Sequence, residues 1–329
     1  MIKRMIVMTA AVLASVALTC GAAAVNSPRG SAAARNAAAS SSARNASAAR
    51  APTTFVAITA AAPTRLARYS ATTGRRLKFL TSPEPGGGVG APELSANGRT
   101  VVFVRGDGTC ADTVDTVPAR GGAERVLIPM TGSGATAAFP FGASLSPDGR
   151  YLLYSLTPCA DLGHHTLYLR DLRTGRTTRL GRAPQLMFPA AFFDHDRQAA
   201  YNPYGFGKLT IVSLRPLRLS YHIPPRGCLY GPLVTPGTGK LLTVTLDCDS
   251  LVKVVDLSPS SLRVTRTIAS VAGSCVRALS LSVAQRDPRA LLLEVTGCHN
   301  TERILTISDG KTTVLRSGPD RRMPQSPAW

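Results

Sequence analysis

Beyond residue 24 the sequence has no apolar run long enough to span a bilayer, which excludes a helical membrane domain there. It has no Cys-x-x-Cys pair, so a zinc or thiol-exchange site is disfavoured. It lacks a Gly-x-Ser-x-Gly elbow, and its repeats leave no room for a following α/β-hydrolase domain. Acid is scarce as well: 38 Lys and Arg stand against 19 Asp and Glu, a formal net charge of +19. Lysine is rare among those cations, and the arginine-heavy balance is that of a GC-rich, actinobacterial-looking genome. Lys3, Arg4, Arg29, Arg35, Arg44 and Arg50 all precede the part with a foldable pattern. The remaining cations are scattered, as on a solvated basic surface. If they have a partner, anionic surface polymers or lipids suit an exported chain better than nucleic acid.

Export is the reading of the N-terminus. Met1-Ile2-Lys3-Arg4 is a short positive segment, followed by an apolar run from Met5 to Leu18 and by Gly21-Ala22-Ala23-Ala24. Residues 1–24 therefore read as a signal peptide with Ala22-x-Ala24 as cleavage site; a retained anchor is the alternative. Cys20 offers a lipoprotein reading, although Ala17 and Thr19 match a lipobox poorly. Residues 25–52 are almost all Ala, Ser, Asn and Arg. They have little to bury and are expected to be a disordered tether. The expected location is secreted, or held at the outer face of the cytoplasmic membrane.

What is present from residue 53 onward is a repeat. Leu145-Ser146-Pro147-Asp148-Gly149-Arg150 leads into Tyr151-Leu152-Leu153-Tyr154-Ser155, then Thr166–Leu172, Thr174-Gly175 and Thr177–Leu180. Pro and Asp set a tight turn, Gly supplies positive φ, and the runs between are β-branched, aliphatic or aromatic. The cadence recurs at Leu94–Val104, at Phe193–Val212, at Val234–Leu257 and at Leu279–Gly310. The spacing is roughly 43 to 51 residues, the period of a four-stranded propeller blade. Phe55–Ile58, Leu66–Tyr69 and Leu77–Leu80 supply three strands of a further blade. Ser326-Pro327-Ala328-Trp329 is expected to provide its fourth, with Trp329 packed near Phe55.

On these motifs the chain resembles the TolB-like, WD40-type family of six-bladed propellers, over residues 53–329. The resemblance implies an all-β, six-bladed β-propeller of four-stranded antiparallel blades, closed by the C-terminal strand. It implies little about function, since such propellers serve as binding platforms, peptidase accessory domains and periplasmic adaptors.

Six cysteines follow Cys20, an even number in a chain expected to meet an oxidising compartment. Cys110, Cys159, Cys248 and Cys298 follow the second strand of a blade, whereas Cys228 and Cys275 precede a first strand. In a four-stranded meander both loop classes emerge on one face of the disc. Cys228 with Cys248 and Cys275 with Cys298 then flank hairpins, which leaves Cys110 for Cys159.

Candidate chemistry is sparse. Asp194-His195-Asp196 has the look of a metal cluster, yet it occupies the position of the Pro-Asp-Gly turn and reads as a worn turn. Asp161, His164, His165 and His299 fall in second-to-third-strand loops on the cysteine-bearing face, where they are candidates to line a ligand site. Gly86–Gly90 joins two blades and precedes no helix, so a phosphate loop is disfavoured. No catalytic residue, metal or cofactor is assigned. The expected function is a non-catalytic, exported module that binds an envelope protein or small ligand. The alternative is a propeller hydrolase or lactonase with its site at the channel mouth.

Overall fold

A computed structural model describes residues 52–59, 64–82, 88–89, 95–106, 110–133, 136–161, 163–183, 186, 190–202, 209–214, 216–222, 229–235, 240–246, 251–272, 277–284, 287–297, 301–319 and 323–329. Residues 1–51, with the expected signal peptide, Cys20 and nearly all of the expected tether, and also Cys228, Cys248, Cys275, Cys298 and His299 lie outside these residues. Among the described residues there are 25 β-strands and no α-helix.

The strands form six antiparallel sheets in chain order. β1 (Thr54–Ile58), β2 (Leu66–Ser70) and β3 (Arg76–Phe79) open the first blade. The second has β4 (Gly88–Val89), β5 (Ser95–Ala96), β6 (Thr100–Gly106), β7 (Thr113–Pro118) and β8 (Arg125–Ile128). The third runs β9 (Ala138–Leu145), β10 (Tyr151–Pro158), β11 (His165–Asp171) and β12 (Thr177–Ala183). The fourth runs β13 (Ala191–Phe193), β14 (Gln198–Tyr201), β15 (Leu209–Leu214) and β16 (Leu217–His222). The fifth comprises β17 (Leu229–Val234), β18 (Leu241–Leu246), β19 (Leu251–Leu257) and β20 (Val264–Ala272). The sixth comprises β21 (Arg277–Ala284), β22 (Asp287–Thr296), β23 (Thr301–Ser308) and β24 (Lys311–Pro319). The last strand, β25 (Gln325–Ala328), returns to the first blade in the order β25-β1-β2-β3. The chain is thus an all-β, six-bladed propeller.

One detail departs from the sequence reading, which placed Gly86–Gly90 in a connection. Gly88 and Val89 pair with Gly106 and Arg105, and Ser95 and Ala96 pair with Val102 and Val101. Two short pieces therefore share the first-strand position of blade two. Glycine weakens a strand without forbidding it, so periodicity alone gave no sign of this pairing.

Successive side chains of a strand point to opposite faces, and in a propeller each face meets a neighbouring blade. The second strands consequently read as largely apolar runs, because both faces are buried. Val101 and Phe103 pack toward blade one with Val56 and Ile58, while Val102 and Val104 pack toward blade three with Leu152 and Tyr154. Leu153 and Phe192 join blades three and four; Phe193 and Leu241 join four and five. Leu242, Leu291 and Leu293 fill the next interface, and Leu292 with Phe55 fills the last. There are six such clusters, one per blade interface, so the core is a ring of wedges. Burying each Leu or Val is worth about 1.5–3 kcal/mol.

The turn motif has a physical basis in blade three. Gly149 takes φ +77°. The Ser146 hydroxyl donates to the Asp148 carboxylate at 2.6 Å and accepts the Tyr151 N–H at 2.8 Å. Asp148 also accepts the Arg150 N–H at 2.9 Å. Arg150 then reaches Asp171 of β11 at 3.1 Å, and Asp171 accepts the N–H groups of Arg173 and Thr174, which shapes the Thr-Gly turn. Thus Ser-Pro-Asp-Gly-Arg and Asp-Leu-Arg-Thr-Gly are two halves of one hydrogen-bonded unit.

Gly142 in β9 is required by close approach rather than by φ. A Cβ placed there runs into the carbonyl of Leu186, in the connection to blade four, where the Ser144 hydroxyl also donates to the Ala190 carbonyl at 3.2 Å. Gly142→Ala is expected to destabilise the fold by about 2–3 kcal/mol through overpacking, read as a lower urea midpoint with an unchanged slope. Wild-type stability in that variant would show that the connection yields freely.

Closure of the ring is tied at several points. Val56 pairs with Ala328 and Ile58 with Gln325. Ser326, at φ +49°, donates its N–H at 2.9 Å to the carboxylate of Glu294, which also accepts the Ser280 hydroxyl at 2.8 Å. Trp329 donates its N–H to the Ser282 hydroxyl at 3.0 Å, and its carbonyl accepts the N–H of Gly98 at 3.0 Å. One strand therefore bonds to blades six, one and two. The Trp329 ring is buried, edge-on to Phe55 at 6.4 Å, and Phe55 stacks on Tyr69 at 5.3 Å.

Candidate binding face

In a four-stranded meander the second-to-third-strand loops emerge at one end of the blade, opposite the first-to-second and third-to-fourth turns. The loop after β6 carries Cys110, at φ +67°, and Asp112. Asp112 is buried, with its carboxylate folded against Gly106, where no Cβ would fit. The equivalent loop after β10 carries Cys159 and Asp161. Its course is fixed by the Cys159 N–H donating to the Ala137 carbonyl at 2.9 Å and by a turn from Pro158 to Asp161.

The geometry brings the two cysteines of adjacent blades together as half-buried thiols within hydrogen-bonding contact. Desolvation raises the Cys159 thiol, and the adjoining Cys110 thiol and the charge of Asp112 raise it further, to about 11. A thiol so protonated is a poor nucleophile and a poor metal ligand.

Asp161 and His164 form a pair on the exposed lip of the loop. Nδ1 of His164 contacts the Asp161 carboxylate, whose other oxygen accepts the Gly163 N–H at 3.1 Å. The His164 contact holds the Asp161 carboxyl below its usual range, against a smaller opposing effect of desolvation. The sign follows: this pairing persists at neutral pH and is lost only as pH falls through that lowered value.

His165 departs from expectation. It begins β11 and is buried rather than lying on the loop, with Nδ1 at 2.6 Å from the Thr157 hydroxyl and its ring edge-on to Phe141 at 5.6 Å. Alternation along β11 turns His165 inward and leaves His164 outside. His165 thus braces the loop from beneath.

Asp194, His195 and Asp196 all take positive φ, between 53° and 59°, in the β13–β14 turn. That is the place of the Pro-Asp-Gly turn, on the face opposite the cysteine loops. Burial raises the Asp196 carboxyl, and the nearby Asp148 of the neighbouring turn raises it further. Among the described residues no three His, Cys, Asp or Glu side chains gather as a metal site. Nor is any described helix long and apolar enough to cross a membrane.

Other acids are bound into the scaffold, and the sequence reading did not single them out. Asp115 accepts from Arg105 at 2.5 Å and from the Thr113 hydroxyl at 2.7 Å. Glu124 contacts the same Arg105 and accepts the Ser82 N–H at 2.9 Å, joining blade two to the end of blade one. For Glu294 the signal was present: a lone acid inside the apolar run Leu291–Val295.

No family model matches this sequence, and no curated protein matches it. Solved structures do. TolB from Acinetobacter baumannii is 17% identical with a TM-score of 0.58, covering 84% of this chain. This chain spans only 65% of that TolB structure. A Bacteroides caccae protein of unknown function is 13% identical with a TM-score of 0.56, covering 84% of this chain and 98% of its own. At such identities the likeness concerns the fold. Taken with the six closed blades, it shows that the chain shares its fold, a six-bladed β-propeller similar in structure to TolB.

Proposed function

We propose that the protein is an exported, non-catalytic binding module of the bacterial cell envelope, and that it presents the loop face of blades two and three to its partner. The observation that carries this reading is how the fold employs its titratable groups. Glu294 ties the closing strand, Asp115 and Glu124 tie Arg105, and His165 is held by Thr157. Asp161 and His164 remain exposed on a loop braced from below, an arrangement suited to recognition. The N-terminal segment supports export, and the basic surface suits an anionic envelope component. No cofactor or metal enters this reading.

The test is sedimentation of the purified chain with isolated cell envelopes, beside a lactone-hydrolysis assay. We expect saturable binding that Asp161→Asn combined with His164→Ala weakens about tenfold, the loss of one good interfacial contact of about 1.4 kcal/mol. Lactone turnover should stay at the uncatalysed rate. Turnover abolished by substitutions at the channel mouth, with no envelope binding, would replace this reading with the hydrolase one.

A further inference from the structure

On the face opposite the cysteine loops, a cavity of about 590 Å³ opens between blades five and six. Its floor is Ile268 of β20, half-buried, which packs over the buried Leu242 and Leu291 of the inter-blade cluster. Around this floor stand Lys240, Arg266 and Arg289, with the acids Asp256 and Asp309. All five charges come from first-to-second and third-to-fourth turns or the strand ends beside them. The meander therefore gathers them at one end.

The charges do not cancel. Among the described residues that line it, three cations share two carboxylates, which leaves one positive charge over. Asp256 is 7% exposed, with Lys240 at 3.5 Å and Arg266 at 3.9 Å from the same carboxylate oxygen. Across the opening Arg289 lies 3.5 Å from Asp309. These separations exceed hydrogen-bond length, so the cationic heads are held near the acids by charge while their N–H donors can still bond a ligand. The lining is well set. Gly310, at φ +79°, lets the sixth blade's turn lie against the Ile268 carbonyl, and Thr265 donates to the Asp256 carbonyl at 3.0 Å.

From this we infer that the groove between blades five and six binds an amphiphilic monoanion, a carboxylate carried on an apolar body. The apolar part occupies the floor over Leu242, Ile268 and Leu291. The carboxylate sits at Lys240 and Arg266, which share the single acid Asp256, so that the surplus positive charge lies there. The volume falls in the range of small-ligand pockets. A dianion would crowd Asp256 and Asp309, and a cation would meet the surplus charge with the wrong sign. The groove lies away from the loop face and does not depend on the envelope-binding proposal.

Calorimetric titration of the full-length chain with 6-phenylhexanoate, at low ionic strength, tests the inference. Its alcohol and amine analogues serve as probes of charge. We expect one saturable site for the carboxylate, at least tenfold weaker binding of the alcohol, and none of the amine. Arg266→Gln with Lys240→Gln should weaken carboxylate binding at least fivefold, and both side chains are exposed enough for the fold to survive. Ile268→Ser should weaken carboxylate and alcohol alike, whereas Asp161→Asn on the opposite face should change neither. Thermal melts matched to wild type establish that each variant is folded. Equal binding of carboxylate and alcohol, undiminished binding in the double variant, or no saturable binding would each overturn the inference.

Discussion

Deleting Gln325–Trp329 should produce a large loss of stability, a fall in Tm well beyond 10 °C. The deletion removes the pairing of Val56 and Ile58 with the last strand and the bond from Ser326 to Glu294. It also removes the bonds of Trp329 to Ser282 and Gly98. The carboxylate of Glu294 is left buried with fewer donors, and losing partners to a buried charge costs more than the bonds alone. The edge of β1 is opened as well, and the apolar wedge of Phe55, Ala57 and Leu292 is laid bare. Trp329→Ala separates the two contributions. It keeps the backbone bonds and should cost about 3–5 kcal/mol for a buried indole. An unchanged melting temperature in the deletion would mean that the ring holds without its closing strand.

The second large effect is expected from redox state. Cys110 and Cys159 stand side by side on adjacent blades, and we expect glutathione disulfide to join them. Each thiol gives up its proton as the S–S bond forms, and the oxidant is reduced to two glutathiones. The bond closes a loop of about 50 residues and should raise Tm by on the order of 8 °C over Cys110→Ser with Cys159→Ser. Peptide mapping without reductant should recover the two cysteines in one linked fragment. The raised thiol of Cys159 adds a kinetic signature: its alkylation at pH 8 should be slow and should accelerate as pH climbs toward about 11. Rapid alkylation at pH 8, or no linked fragment after oxidation, would contradict the arrangement described here.

The fold was legible because the turn motif and the apolar strands answer to local physics. Pro147-Asp148-Gly149 closes a turn through its own side chains, and Val101–Val104 is apolar throughout because both faces meet a blade. Partnership across the sequence was less legible. Arg150 with Asp171 could have been read from the repeat, since both belong to it. The reach of Arg105 to Glu124, and of Glu294 to Ser326, depends on how blades meet, and no spacing encodes that. The adjacency of Cys110 and Cys159 was legible because equivalent loops of neighbouring blades must lie side by side. The inward turn of His165 was missed because the loop was taken to end one residue later. The groove between blades five and six was invisible for a further reason: its cations belong to turns that look individually like any solvated turn.

The closing strand also sets the order in which this molecule can assemble. Its partner, β1, lies about 270 residues earlier in the chain, so the first sheet waits for the last strand. Five sheets can form from neighbouring segments as they become available, each a local meander. The first must keep an unpaired edge meanwhile, with Val56 and Ile58 along it. Folding should therefore be slow in its final step and fast before it, and the species that accumulates should be a nearly complete, open ring. That intermediate is the one prone to aggregate, through β1, and the one a holding chaperone would have most reason to shield.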